Sequence, residues 1–213
     1  VGMPPSVCMI LVEPLFNRIR AELPGVKLRI SEAFSGDLDE WLSSGRLDAA
    51  VIYRSGRSHN IIGQELLIED MFLVSRPKDR RSGHKKHVTL AEASAMPLIL
   101  PGRPHGLRLL IDSACSEKGL ALNVALELDA MATIKELVEA GDACTILPYG
   151  GVHNEVEAGR LCAARLVGPS IARTLILAQS SRRSRTPATD AVVQRIRSEV
   201  KKLIDDEKWT GPA

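Results

Sequence analysis

Leu42-Ser43-Ser44-Gly45-Arg46-Leu47-Asp48-Ala49-Ala50-Val51-Ile52-Tyr53 settles the class of fold. A helical pattern ends at Trp41 and Leu42. Gly45 follows, where helices commonly turn off through a left-handed glycine. Leu47 to Ile52 is then a short, nearly continuous apolar run of the kind buried on both faces in a parallel sheet. Asp48 interrupts it, either as a cap for neighbouring backbone N–H groups or as a functional acid. Tyr53 and Arg54 come next, at the carboxyl end of the strand. In open α/β sheets that is the edge where ligands bind.

The bulk of the chain agrees with a packed core. It has 213 residues, 45% apolar, enough for one large domain or two small ones. Aromatics make up only 3%, which argues against a stacking platform for sugars or single-stranded nucleic acid. A net charge of +2 gives no strong field for nucleic acid. Cys8, Cys115, Cys144 and Cys162 are far apart, without a Cys-x-x-Cys pair. They read as buried thiols of a reducing compartment rather than as a disulfide framework or zinc site. No apolar run reaches membrane-spanning length, and no signal peptide opens the chain. The expectation is a cytoplasmic protein, and the start at Val1 suggests a piece of a longer one.

Upstream of Leu42, Val1 to Met3 reads as the end of a strand and Val7 to Leu23 as a helix. Ser6 is expected as its N-cap, with free N–H groups that suit an anion. Pro14 should kink or divide that helix. Val26, Leu28 and Ile30 alternate with polar residues, so Val26 to Phe34 reads as a second strand. Ser35-Gly36-Asp37 is a turn, and Asp37 to Ser44 a short helix. Strand, helix, strand, helix, strand in 53 residues predicts a parallel sheet with right-handed crossovers.

Downstream, Ser55 to Asn60 is a polar loop, Ile61 to Leu67 a weak strand and Glu69 to Ser75 a further strand. Arg76 to His87 is strongly basic and reads as a solvated loop, as does the basic run at 182–185. The His84 and His87 pair is a poor metal site among lysines. Thr89 with Glu92 makes a capping box. Leu98 to Leu100 is a buried strand, followed by Pro101-Gly102-Arg103-Pro104-His105 and a helix from Leu107 to Lys118. That loop offers Arg103, His105 and a helix N-terminus to a carboxylate or phosphate, or is an ordinary turn. Val124 to Leu128 is a strand. Asp129 to Thr133 caps a helix ending at Gly141. Thr145 to Leu147 is a strand with its exit loop at Pro148, and Val152 to Ala158 is a short helix. Leu161 to Val167 is extended, Arg173 to Ala178 is a strand, and a last helix starts at Pro187.

The second half thus repeats the strand–helix alternation. Two Rossmann-like lobes are expected, residues 1–75 with 176–213 and residues 76–175, joined by a two-strand hinge around a cleft. Clefts between lobes commonly hold small molecules.

Leu42-x-x-Gly45-x-Leu47-Asp48-x-Ala50 and Glu136-Leu137-Val138-x-Ala140-Gly141-x-x-x-x-Ile146-Leu147-Pro148 together resemble the effector-binding domain of LysR-type transcriptional regulators. Leu23-Pro24-Gly25-Val26 and Arg173-x-Leu175 add to the likeness. The stretch Val152-His153-x-Glu155-Val156-x-Ala158-Gly159-Arg160-Leu161 is similar to the nitrogen-assimilation-control branch. The resemblance implies an α/β, periplasmic-binding-protein type 2 fold, a homodimer or homotetramer, and a small polar or anionic effector. DNA would be bound only through an N-terminal winged helix-turn-helix absent from these residues. It implies effector contacts at Ser6, Ser35, Pro101, Gly102, Arg103, Asp129, Ala130, Met131 and Pro148, and the strand end adds Tyr53 and Arg54. Ser6 and Ser35 would donate to an effector carboxylate or similar group. Asp129 would cap its helix or accept from a hydroxyl or amine. No nucleophile–base pair, metal set or cofactor motif stands out, so no enzyme chemistry, metal or cofactor is expected. The competing reading is a free-standing solute-binding protein or enzyme on the same fold.

Overall fold

In chain order the elements are β1 (Gly2–Met3), α1 (Pro5–Glu22), β2 (Ser31–Glu32), α2 (Ser35–Ser43), β3 (Ala49–Tyr53), β4 (Ile61–Ser75), β5 (His87–Thr89), α3 (Leu90–Ala95) and β6 (Leu98–Leu100). They continue with α4 (Gly106–Glu117), β7 (Val124–Glu127), α5 (Met131–Ala140), β8 (Thr145–Pro148), α6 (His153–Glu157), β9 (Cys162–Val167), β10 (Ala172–Ser180) and α7 (Pro187–Asp205). The computed structural model describes residues 1–54, 61–77, 85–181 and 186–211. The polar loop 55–60, residues 78–84 of the basic loop with His84, and the basic run 182–185 lie outside the described residues. Two units divide the chain: Val1–Glu69 with Arg173–Ala213, and Asp70–Ala172.

In unit 1 the strands run β2-β1-β3-β10-β4. The first three are parallel neighbours, and β10 lies antiparallel to β3. β3 is buried on both faces. Ala49 and Val51 join the core made with α1 and α7, whereas Ala50 and Ile52 join the one made with α2. This is the alternation a central strand needs. Its approach is set by the end of α2. Arg46 N–H bonds Trp41 O at 2.8 Å and Gly45 N–H bonds Leu42 O at 3.1 Å, with Gly45 at φ 77°, a Schellman turn. The Arg46 guanidinium closes it, 4.1 Å from the Trp41 ring centroid. Beside β3, Gly2 has no space for a side chain: a Cβ would stand 2.6 Å from Leu38 Cδ2 and Leu47 Cδ1.

Two local expectations are corrected in unit 1 and a third is narrowed. Ser6 does not cap α1. Pro4 is the N-cap and Pro5 sits in the first turn, where its missing N–H costs nothing, so Ser6 falls inside the helix. Pro14 lies within α1 without dividing it. The second strand is two residues rather than nine, because β1 offers only Gly2 and Met3 for a ladder. Val26, Leu28 and Ile30 still turn onto the core.

In unit 2 the last residues of β4 pair antiparallel with β8 and with β9, and β9 is parallel to β5. Glu69 to Ser75 does not start its own strand, since Ile61–Ser75 is continuous. β6 is parallel to β7 and bridges to Cys144 just before β8. One apolar core gathers these strands with α3, α4 and α5. The Thr89–Glu92 capping box forms in full at the start of α3.

Candidate functional site

β1, β2 and β3 each lead to one of the residues expected to meet a ligand. Met3 leads through Pro4 into α1 and Ser6. Glu32 leads into α2, whose first residue is Ser35. Tyr53 closes β3. Unit 1 brings these three residues together. Ser6 Oγ and the Tyr53 hydroxyl share a hydrogen bond of 2.8 Å, and the Tyr53 N–H donates to Ser35 Oγ at 3.2 Å. Ser6 is buried, and Ser35 and Tyr53 are half-buried. Arg54 stays apart, exposed and 3.7 Å from Glu65. Asp48 is exposed at the other end of β3, where its charge acts on the Val1 ammonium. That is a structural place rather than a chemical one.

Three further residues complete this cluster. The Arg173 guanidinium carbon lies 3.3 Å from the Tyr53 ring centroid, its Nε is 3.5 Å from Glu69 Oε2, and the Trp209 indole N–H donates to Glu69 Oε1 at 2.6 Å. Burial, with Arg173 opposing and Glu69 adding, pushes the Tyr53 phenol above its ordinary range. The hydroxyl therefore stays protonated. Sequence reasoning passed over Glu69, yet a signal was present: it shares the inward period-two face with buried Leu67.

Unit 2 gathers a second group around the carboxyl end of β6. Asp129 does not cap α5, whose N-cap is Ala130. Its Oδ1 instead accepts the Gly102 N–H at 3.0 Å, which ties the exit of β7 to the exit of β6. Arg103 turns onto α4, with Nε 2.7 Å from Asp112 Oδ2. His105 is the N-cap of α4, its Nδ1 accepting the Leu107 N–H at 3.1 Å. Buried Arg108 braces the loop from below. Its Nη1 reaches Pro101 O at 3.2 Å and Glu127 Oε1 at 2.6 Å, and its Nε reaches Asp112 Oδ1 at 3.0 Å. Against the upward push of burial, bonds from Arg103 and Arg108 hold the Asp112 carboxyl below its ordinary value. Ala130 and Met131 lead into α5. Pro148 is the buried last residue of β8, paired with Met71.

What these groups can do chemically is bind. The hydroxyls of Ser6 and Ser35 offer donors and acceptors, and the Pro101–Arg103 loop is held in one shape by its carboxylate and guanidinium partners. The four cysteines are thiols rather than disulfides. Burial pushes Cys8 up to about 12, with Glu32 adding to it, so the thiolate nucleophile is scarce there at neutral pH. Among the described residues no cluster of three or more His, Cys, Asp or Glu is placed to hold a metal. None of their helices is long and apolar enough to cross a membrane.

Comparison with known proteins gives a consistent picture. The model of the LysR substrate binding domain matches residues 1–201. The nitrogen assimilation regulatory protein nac of Klebsiella aerogenes is 28% identical over 193 residues. That match takes in 90% of this chain but 62% of the regulator, so the chain spans about three-fifths of that relative's length. Among solved structures, the Synechocystis CcmR regulatory domain in complex with 2-PG superposes with a TM-score of 0.83 at 13% identity, covering 95% of this chain and 96% of that one. The reduced OxyR regulatory domain of Pseudomonas aeruginosa gives 0.77 at 22% identity, covering 92% and 95%. These likenesses are of fold: the chain has the type 2 periplasmic-binding-protein fold of LysR regulatory domains.

Proposed function

We propose, on the premise that this chain belongs to the family of LysR substrate binding domains, that it senses a small polar or anionic effector for a transcriptional regulator. Ser6 and Ser35 are its hydrogen-bonding anchors. Pro101, Gly102, Arg103, the Asp129–Met131 turn and Pro148 supply further contacts. The observation that carries this reading is the Ser6–Tyr53–Ser35 cluster, in which the Ser6 hydroxyl meets the Tyr53 hydroxyl and the Ser35 hydroxyl accepts the Tyr53 backbone N–H, just past the carboxyl ends of three parallel strands, the edge where α/β sheets take their ligands. Tyr53 acts here through Ser6, since its ring lies against Arg173. Effector binding would shift a population between two states of the regulator. Association into a homodimer or homotetramer, and DNA contact through a domain outside these residues, complete the proposal. It involves no catalysis.

The test is a thermal-shift screen with 2-PG, small mono- and dicarboxylates, phosphorylated acids and amino acids. At least one should raise the melting temperature in a concentration-dependent way. Ser6→Ala should weaken that compound about tenfold, the worth of one hydrogen bond near 1.4 kcal/mol. Unchanged affinity in a folded Ser6→Ala protein would remove Ser6 from the site.

A further inference from the structure

Behind Tyr53 runs a line of polar contacts that an apolar core does not require. Glu69 is 3% exposed and Trp209 1%. A buried carboxylate beside a buried indole is an expensive way to fill space, and well-packed apolar residues would fill it at lower cost. The line runs from Trp209 Nε1 to Glu69 Oε1 at 2.6 Å, across an ion pair without a hydrogen bond from Glu69 Oε2 to Arg173 Nε at 3.5 Å, then Arg173 against the Tyr53 ring at 3.3 Å and Tyr53 to Ser6 at 2.8 Å.

The backbone that delivers Trp209 is strained. After α7, Glu207 adopts φ 57°, the left-handed region that side chains disfavour. Its N–H bonds Ile204 O at 2.9 Å, and the Lys208 N–H bonds Leu203 O at 3.0 Å, which closes a Schellman turn on a residue other than glycine. A strained turn is therefore held where it aims an indole at a buried carboxylate.

We infer that Trp209, Glu69 and Arg173 are positioning residues: the C-terminal turn fixes Glu69, Glu69 orients the Arg173 guanidinium over Tyr53, and Tyr53 aims the Ser6 hydroxyl. The inference rests on the reading of Ser6 as an effector anchor. A guanidinium suits the middle position. It is planar, keeps its charge, and can stack on a ring while its edge faces a carboxylate.

Tyr53 and Tyr149 are the chain's two tyrosines, and Trp41 and Trp209 its two tryptophans. NMR of protein labelled at tyrosine Cζ and indole nitrogen therefore reports each end of the line separately. Glu69→Gln keeps the shape of what it replaces, and Trp209→Phe keeps an aromatic ring while removing the indole donor. Both should move the Tyr53 Cζ resonance by more than a line width, with Tyr149 and Trp41 unmoved as evidence of a retained fold. Ser6→Ala should move the Trp209 indole peak in return. A stationary Tyr53 resonance in folded Glu69→Gln overturns the inference, even if Trp209→Phe fails to fold. No ligand is needed. A coupled Tyr53 with an empty metabolite screen faults the effector reading, whereas an uncoupled Tyr53 with a Ser6-dependent ligand faults the relay.

Discussion

Arg108→Ala should cost about 3 kcal/mol of stability, and Arg103→Ala less than about 1 kcal/mol, although both arginines bond the same aspartate. The difference lies in where each guanidinium sits. Arg103 is 62% exposed as a side chain, so water replaces its bond to Asp112. The Arg108 side chain is 5% exposed. Its removal leaves the Pro101 carbonyl without that donor and takes one of two cations from Asp112. It also empties the space of a buried aliphatic stem. The bond to Glu127 adds little, because that carboxylate is 53% exposed and water solvates it once released. One charged bond, one abandoned carbonyl and the lost stem contribute roughly 1 kcal/mol or more each. With a urea m-value of about 2 kcal/mol/M, the midpoint should fall by about 1.5 M. Amide exchange within residues 70–172 is the readout to prefer, since the two units need not unfold in one step. Arg108→Lys should recover part of the loss, as a charge without the fork. Equal costs for Arg103→Ala and Arg108→Ala, or under about 1 kcal/mol for Arg108→Ala, would refute the assignment of the brace to Arg108.

Two further outcomes follow from local geometry. Glu207→Gly should stabilise the protein by about 0.5–1 kcal/mol, because relief of the left-handed strain outweighs the added freedom of the unfolded chain; a lower melting temperature would show that the Glu207 side chain contributes more than its backbone costs. The Glu92 carboxyl, held at about 2 by Lys85 and by the Thr89 backbone and hydroxyl, should titrate near that value by carboxyl-carbon NMR. Its folded pKa is depressed from 4.5, so the cap's support is fully present above 4.5 and is lost as pH falls toward 2. A titration midpoint near 4.5 would show the capping box open in solution.

Much of the frame was legible in the residues. The Leu47 to Ile52 run, the glycine stop before it, the Thr89 capping box and the Pro187 helix start are local signals, and each appears in place. The Ser6 misreading was local, since Pro4 and Pro5 start the helix ahead of it; two others came from partners far away in sequence. The apolar alternation at Val26 to Ile30 is real, but strand length there is limited by two residues of β1. Asp129 sits where a cap belongs, yet the Gly102 N–H claims it from 27 residues away. Ser6 and Ser35 were named from the family resemblance, whereas Glu69 and Trp209 bond across 140 residues, which no local pattern encodes.

The order in which the ribosome delivers these elements gives the two units different histories. Residues 70–172 are contiguous, so every strand of unit 2 exists once Ala172 has emerged, and that unit can fold while the rest is still being made. Unit 1 cannot. Its core needs β10 and α7. α7 locks onto α1 through Arg18 to Glu199 at 2.7 Å and Arg195 to Glu22 at 2.6 Å. Until then, the strands and helices within residues 1–54 and 61–69 wait without their partner. Trp209 is the last side chain of that core in chain order, so a chain ended before it would carry a finished unit 2 with an incomplete unit 1 core.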